Sequence, residues 1–127
     1  TVTASNARSI VMLGATGTRI DHLLGNIELL GIGLQNHIPI QIVDERNRIR
    51  MIGAGITIEK EKQFGKFVSL IPYTNIVKGL TLTGFKYPLD HYDFKGFCSL
   101  GVSNEIIAES AEIAFEEGIL IVIEARD

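Results

Sequence analysis

Hydrophobic residues in the first third of the chain follow two different periods. An apolar, β-branched run over residues 9–13 ends at a glycine, and we interpret it as a buried strand. Apolar residues then recur every three or four positions from Ile20 to Leu34, which predicts a helix that Asn36 or the nearby glycines end. Residues 40–43 predict a second buried strand. Strand, glycine turn, helix and strand make a βαβ unit, which belongs in a parallel sheet.

After Arg46 the pattern changes to short runs in which apolar and polar residues alternate between Gly, Pro and Asn positions. This pattern predicts antiparallel strands of a sandwich or jelly roll. The predicted strands are 48–52, 55–59, 67–71, 76–83 and 119–123. Residues 111–115 also alternate as a strand does, although the stretch from Ile106 fits a helix as well. The predicted fold class is therefore an α/β fragment (one βαβ unit of a parallel sheet) followed by an antiparallel β-sandwich, with domains at 1–45 and 46–127.

Composition narrows the class of protein. Of the 127 residues, 46% are hydrophobic and 21% are charged, which is typical of a globular domain. The formal net charge of −3 argues against a nucleic-acid partner, since such proteins present a basic face to phosphates. No apolar run approaches the ~20 residues of a membrane span, so we expect no membrane partner. The chain starts at Thr1 rather than Met, which suggests a cut inside a longer chain.

Cys98 is the single cysteine in the sequence. It excludes an intrachain disulfide and zinc sites that need two or four cysteines. The absence of disulfides fits a reducing compartment and a cytoplasmic location. Cys98 itself is predicted to be a small buried hydrophobe rather than a nucleophile.

The turn after the first predicted strand is the first candidate for chemistry. Gly14 and Gly17 let backbone N–H groups approach an anion where the helix begins. Arg19 adds a forked, permanently charged contact to phosphate. An ordinary glycine turn is the alternative, in which the helix dipole favours Asp21 near the helix start. A dinucleotide-binding turn is a rival, but the position of its third glycine is occupied by Ile20.

Two further groups of polar residues are weaker candidates. Asp90, His91 and Asp93 form a small cluster with metal-ligating side chains, although we interpret this stretch as a solvated loop. Ser103 and Asn104 lie in a predicted turn, and both residue types favour ordinary turns through local side-chain hydrogen bonds.

The wider sequence around the glycine turn adds a resemblance. The run from Gly14 to His22, followed by Asn26 and Ile27, resembles the signature of bacterial thiamine pyrophosphokinases. The resemblance continues, in the same order and spacing, through residues 44–47, 68–72, 84–89, 101–105 and 117–118. It spans about residues 9 to 127. One departure is Thr18, which stands where the family usually has Gly and leaves the backbone contacts of the turn in question.

The resemblance implies a fold, a reaction and a set of roles. The family pairs an N-terminal α/β domain that binds ATP with a C-terminal β-sandwich that binds thiamine, and it works as a homodimer. With Mg²⁺, it transfers a pyrophosphoryl group from ATP to the thiamine hydroxyl and releases AMP. By the same resemblance, Asp21 would lie at the reacting centre, and Ser103 and Asn104 would hold thiamine, across the dimer interface. The residues that would bind the ATP phosphates are Gly14, Thr16, Gly17, Arg19 and His22.

The resemblance also implies that something is missing. The family's main magnesium carboxylates lie on an upstream segment, and this chain contains no Asp-x-Asp pair. We therefore expect the chain to be an inactive fragment of the enzyme. Two alternatives remain: a non-catalytic module that binds thiamine and dimerises, and a fragment of a Rossmann-type nucleotide-binding oxidoreductase.

Overall fold

The computed structural model describes residues 9–127 apart from Ala15 and Thr18. Within that part, ten strands and one α-helix follow one another along the chain. They are β1 (Ile10–Leu13), α1 (Ile20–Gln35), β2 (Ile40–Val43), β3 (Asn47–Ile52), β4 (Ile56–Glu59), β5 (Phe67–Pro72), β6 (Ile76–Thr83), β7 (Leu89–Lys95), β8 (Asn104–Glu105), β9 (Ser110–Ala114) and β10 (Leu120–Ala125). A short 3-10 turn at Lys60–Lys62 follows β4.

The strands form two sheets. The first has six strands in the order β1-β2-β3-β10-β5-β8, and the second has four in the order β4-β9-β6-β7. β1 pairs parallel with β2, but β2 pairs antiparallel with β3, so the first part of the chain shares a sheet with the later strands. The predicted arrangement of a βαβ unit followed by a separate sandwich is therefore not confirmed. The predicted domain division between residues 45 and 46 stays a prediction.

The larger hydrophobic core takes residues from both sheets. From the six-stranded sheet come β5 and β10, with Leu70 and Leu120, and from the four-stranded sheet come β6, β7 and β9. Phe94 on β7 is 1% exposed and is among the largest side chains in this core. Alternate residues of a strand point to opposite faces of its sheet. The polar neighbours of the buried residues in β6, β7 and β9 therefore lie on the outer face of the four-stranded sheet.

A second core lies between α1 and the opposite face of the six-stranded sheet. The helix contributes Leu30, with Leu23, Ile27 and Leu34 beside it, and β2, β3 and β10 supply the other side. Gly33 allows this close packing, because a Cβ there would lie 2.5 Å from the Ile38 carbonyl oxygen. The helix begins at Ile20 and is capped at its end by Asn36, as the periodicity predicts.

Three sequence interpretations need correction. Residues 10–13 form an edge strand rather than a buried one, because Val11 and Leu13 are 50% and 76% exposed on a face that carries no covering layer in the described part of the chain. Cys98 is exposed, not a buried hydrophobe. The segment with Asp90, His91 and Asp93 is strand β7 rather than a loop.

The remaining ambiguity over residues 106–115 is also settled. Residues 110–114 form strand β9, which pairs with β4 and β6. The alternative helix is wrong because Ala111 and Ile113 are both buried, with exposed residues beside them, and only the period of a strand places them on one face.

Substitution of Phe94 tests the position of the larger core. Phe94→Ala leaves a cavity between the two sheets, and we expect it to lower the free energy of unfolding by about 3 to 5 kcal/mol. Urea denaturation followed by circular dichroism measures the change. Phe97→Ala is the matched control, since Phe97 is fully exposed three residues further along and should change stability little. Equal losses in the two variants would contradict this placement of the core.

Candidate functional site

The turn between β1 and α1 has the backbone geometry of a glycine turn. Gly14 and Gly17 both adopt left-handed conformations, with φ of +70° and +45°, which residues with a Cβ rarely adopt. Arg19 is the N-cap of α1 and makes no side-chain capping hydrogen bond. The first helical turn, with the positive end of the helix dipole, therefore lies beside these glycines.

Arg19 and Asp21 are paired with each other. The Arg19 guanidinium approaches the Asp21 carboxylate with both Nη2 and Nε, at 2.5 and 3.2 Å, and both side chains are more than half exposed. Asp21 Oδ1 also accepts the backbone N–H of His22 at 2.9 Å. Arg19, predicted to bind phosphate, and Asp21, predicted to lie at the reacting centre, are therefore neighbours at the helix start, and their charges neutralise each other in this arrangement.

A cavity of about 330 Å³ opens beside this turn. Thr16, Gly17 and Arg19 line it on one side, and Asp44 and Asn47, from the turn between β2 and β3, line it on the other. Its floor is apolar and comes from Ile20, Leu23, Ile49 and Ile123. Gly14, Asp21 and His22 belong to the same turn but do not line the cavity.

Asp44 is the carboxylate that lines this cavity, and the candidate set from the sequence does not contain it. Its Oδ1 accepts the backbone N–H groups of Arg46 and Asn47 at 2.8 and 2.6 Å. Burial acts to raise the pKa of the Asp44 carboxyl, but these hydrogen bonds and one from the Thr16 side chain outweigh it, so the pKa is lowered. The position of Asp44 in the sequence could have indicated its place in the cavity. Asp44 follows β2, the parallel neighbour of β1, so both strands end at the same edge of the sheet.

The described residues do not fit a magnesium site of their own. Over residues 9–14, 16, 17 and 19–127, no three His, Cys, Asp or Glu side chains come together as a metal-binding group. The Asp21 carboxylate forms an ion pair with Arg19, and the Asp44 carboxylate accepts the backbone N–H groups of Arg46 and Asn47. Magnesium at nucleotide sites usually takes one or two carboxylates together with substrate oxygens, and neither carboxylate is free here.

The second candidate group lies at β8. Ser103 adopts a left-handed conformation with φ of +61°, and its backbone N–H donates to Ser69 Oγ at 2.9 Å. The Ser103 hydroxyl itself is exposed and makes no hydrogen bond within the described part of the chain. It is therefore available to a ligand.

Asn104 is buried and has a structural role that the sequence did not indicate. Its Oδ1 accepts the backbone N–H groups of Tyr87 and Glu105, at 3.0 and 2.9 Å, and its Nδ2 donates to the Tyr87 carbonyl at 2.9 Å. The side chain thus fixes the Tyr87 loop to β8. One N–H of the amide remains beyond these three bonds.

The two candidate groups lie on opposite edges of one sheet. β1 and β8 are the first and last of its six strands, so five strand spacings of ~4.8 Å put the glycine turn and Ser103 roughly 24 Å apart. The register places both groups at the same end of the strands, because Asn47, Ala125, Phe67 and Glu105 follow one another across the sheet. One chain therefore does not bring them together.

Comparison with known proteins bears on both groups. The family model described as "Thiamin pyrophosphokinase, vitamin B1 binding domain" matches residues 55–120, which is just over half of the chain. The chain belongs to the thiamine pyrophosphokinase family. The matched range contains Ser103 and Asn104, and the glycine turn lies before it.

Individual relatives agree with the family match. Thiamine pyrophosphokinase of Bacillus subtilis (strain 168) is 41% identical over 119 residues, covering 93% of this chain and 55% of the relative. The chain thus spans about half the length of the curated relative it matches. Family membership disfavours the oxidoreductase alternative.

Solved structures extend the comparison to the fold. The crystal structure of thiamine pyrophosphokinase from Bacillus subtilis matches with a TM-score of 0.91 at 39% identity, covering 96% of this chain and 57% of that one. The enzyme from Geobacillus thermodenitrificans gives 0.87 at 39% identity, with coverages of 99% and 58%. Thiamin pyrophosphokinase from Candida albicans gives 0.77 at 19% identity, covering 95% and 45%, and that likeness concerns the fold alone.

One more structural finding bears on the predicted partners. In the described part of the chain, no helix combines the length and the apolar character that crossing a membrane requires.

The lowered pKa of Asp44 predicts how the free energy of unfolding changes at acidic pH. Because the pKa in the folded chain lies below the ordinary value of 3.8, the carboxylate stabilises the fold above that value, and this stabilisation is lost as the pH falls through the folded-state pKa. Asp44→Asn keeps an acceptor oxygen but removes the titration. Between about pH 6 and about pH 3, urea midpoints of the variant should fall less than those of the unchanged chain.

The control for that comparison is Asp127→Asn at the exposed end of the chain. It should leave the acid sensitivity unchanged. If Asp44→Asn and Asp127→Asn have the same effect on the midpoints at low pH, the hydrogen bonds of the Asp44 turn do not set the pKa.

Proposed function

We propose that the polypeptide containing this chain is a thiamine pyrophosphokinase that transfers a pyrophosphoryl group from ATP to the hydroxyl of thiamine, giving thiamine diphosphate and AMP. The observation that carries the proposal is the family match to a domain described as binding vitamin B1, over the range that holds Ser103 and Asn104. The names of the relatives support the same reaction class. Since this chain covers only part of their length, the whole activity is proposed for the longer polypeptide.

On this proposal the glycine turn binds the ATP phosphates. Gly14, Thr16 and Gly17 offer backbone and hydroxyl groups, and His22 lies one residue beyond Asp21 in the same helical turn. Arg19 supplies the permanent positive charge. A phosphate oxygen would compete with Asp21 for the Arg19 guanidinium, because both partners are exposed and can exchange.

Release from Arg19 gives Asp21 its proposed role at the reacting centre. A free carboxylate is suited to accept the proton of the thiamine hydroxyl as that oxygen attacks the β-phosphorus of ATP. The bond between that phosphorus and the oxygen bridging to the α-phosphate breaks, and AMP leaves. The protein then contributes mainly position and charge neutralisation, as phosphoryl transfer generally requires.

Magnesium belongs to the proposed reaction but not to the described residues alone. The ion would neutralise charge on the phosphates of ATP. Because Asp44 is engaged by its own turn and Asp21 has the proposed task of accepting the hydroxyl proton, we propose that the main magnesium carboxylates come from parts of the polypeptide outside this chain. This chain by itself is then expected not to catalyse the transfer.

Thiamine would bind at β8, with the Ser103 hydroxyl and the remaining Asn104 N–H facing the ligand. Because ~24 Å separates β1 from β8, we propose that a complete site combines the β1 side of one copy with the β8 side of another. Exposed apolar side chains lie close to Ser103 in the sequence or, as Tyr87 does, in the loop that Asn104 holds, and they would be covered in such a homodimer. They are Tyr87 (58% exposed), Phe97 (114%), Leu100 (52%), Val102 (51%) and Ile107 (62%).

Thiamine titration of this chain tests the β8 site. Weak binding should shift the backbone amide NMR signals of Tyr87 and Ser103, and Ser103→Ala should weaken it roughly two- to tenfold, as expected for one lost hydrogen bond of about 0.5 to 1.5 kcal/mol. Ser103 is the better target, because replacing Asn104 also breaks its bonds to Tyr87.

The control variant is Ser110→Ala, at an exposed position of β9 in the other sheet. It should bind thiamine as the unchanged chain does. Absence of shifts around Ser103, or equal affinities for the two variants, would remove the β8 site. In a parallel assay with ATP, Mg²⁺ and thiamine, steady AMP formation by this chain would show that it already holds the carboxylates assigned elsewhere.

A further inference from the structure

Two arginines and one glutamate lie on the face of the six-stranded sheet that is opposite α1. Ile49 and Met51 of β3 face the helix, so the alternating Arg48 and Arg50 point to the other face. Glu124 of β10 is the register partner of Arg48. It accepts a hydrogen bond from Arg50 Nη2 at 3.0 Å and forms an ion pair with Arg48 Nη1 at 3.7 Å. Its side chain is 1% exposed, whereas those of the arginines are 24–29% exposed.

This cluster has more positive charge than its carboxylate can balance. Two guanidinium groups share one buried carboxylate, and that carboxylate also accepts the backbone N–H of Phe64 at 3.2 Å. Arg48 Nε and Arg50 Nε are both buried and donate to no acceptor in the part of the chain that the structure describes. Burial lowers the pKa of Arg50; Glu124 opposes that effect and Arg48 adds to it. Buried donors without an acceptor are costly, and the two partly buried guanidinium groups beside one carboxylate leave a surplus of positive charge.

A cavity adjoins the cluster. It has a volume of about 730 Å³, and its lining includes Arg48, Arg50, their neighbour Gln41 on β2, and residues 52–56 that lead from β3 into β4. It continues past the start of β2 to the end of α1. The glycine-turn cavity is a different one, since the two cavities have no lining residue in common.

We propose that Arg48 and Arg50 bind a small oxyanion, a carboxylate or a phosphate, in this cavity. A water molecule could accept hydrogen bonds from the Nε groups but would leave the surplus positive charge. An oxyanion accepts the same hydrogen bonds and also balances the charge. Guanidinium groups suit this role because their planar forks match carboxylate and phosphate oxygens. The site is independent of ATP and thiamine binding, since neither candidate group contributes to it.

Titration with inorganic phosphate and with acetate, followed by backbone amide NMR shifts of this chain at low ionic strength, tests the site. Either anion should shift the signals of residues 48–56. Arg48→Gln should lower the affinity by roughly tenfold or more, as for a lost charge-assisted contact. Glu124→Gln keeps the shape of the side chain but frees both guanidinium groups, so it should raise the affinity. The preferred anion distinguishes a carboxylate ligand from a phosphate ligand.

Arg46→Gln is the matched control, because it removes the same charge from an exposed turn. It should leave the affinity nearly unchanged. Binding of neither anion, or equal losses in Arg46→Gln and Arg48→Gln, would overturn the proposal. A decrease in affinity for Glu124→Gln would overturn it as well, and amide spectra of each variant show that the fold is retained.

Discussion

Strand β10 holds the molecule together. It is hydrogen-bonded to β3 on one side and to β5 on the other, over six residue pairs each. Leu120 and Val122 are buried in the core that both sheets share, while Ile121 is buried against the helix side. Strand β10 therefore joins the β1-β2-β3 part of the sheet to β5 and β8, and it contributes residues to both cores. Loss of β10 would separate the helix-bearing part from the strands that carry Ser103.

That central sheet determines what one chain can do. It fixes the glycine turn and β8 at the same end of the strands but at opposite edges of the sheet. Strands β2, β3, β10 and β5 lie between β1 and β8. A sheet of this kind is stiff, so side-chain movement does not bring Arg19 to Ser103. The proposed kinase would therefore combine two copies of the chain, and the exposed apolar residues near Ser103 in the sequence are the surface that we propose for their contact.

The sequence predicted elements well where one period dominates. Helix α1 and strand β6 follow their apolar patterns, and both appear with the predicted bounds or close to them. β7 was missed because His91 has a left-handed conformation and the pairing with β6 shifts register, so its polar residues do not alternate regularly. The exposure of β1 also could not be predicted, since an apolar run does not show whether a covering layer lies over it.

The candidate site was predictable only in part. The glycine turn was identified from Gly14 and Gly17, and both adopt left-handed conformations in the structure. The Asp44 contribution and the Arg48–Glu124–Arg50 cluster depend on strand pairing between distant parts of the chain, which no local pattern encodes. Asn104 illustrates the same limit, because its bonds to Tyr87 join residues 17 positions apart.

The most direct measurement is subunit complementation in the longer polypeptide that we propose contains this chain. One variant carries Arg19→Ala and the other Ser103→Ala, and the two are unfolded, mixed and refolded together. If the site combines the β1 side of one copy with the β8 side of another, mixed dimers contain one intact site, and AMP formation at thiamine concentrations below saturation exceeds the average of the two variants measured separately. A mixture no more active than that average, with mixed dimers shown to form, would contradict the account.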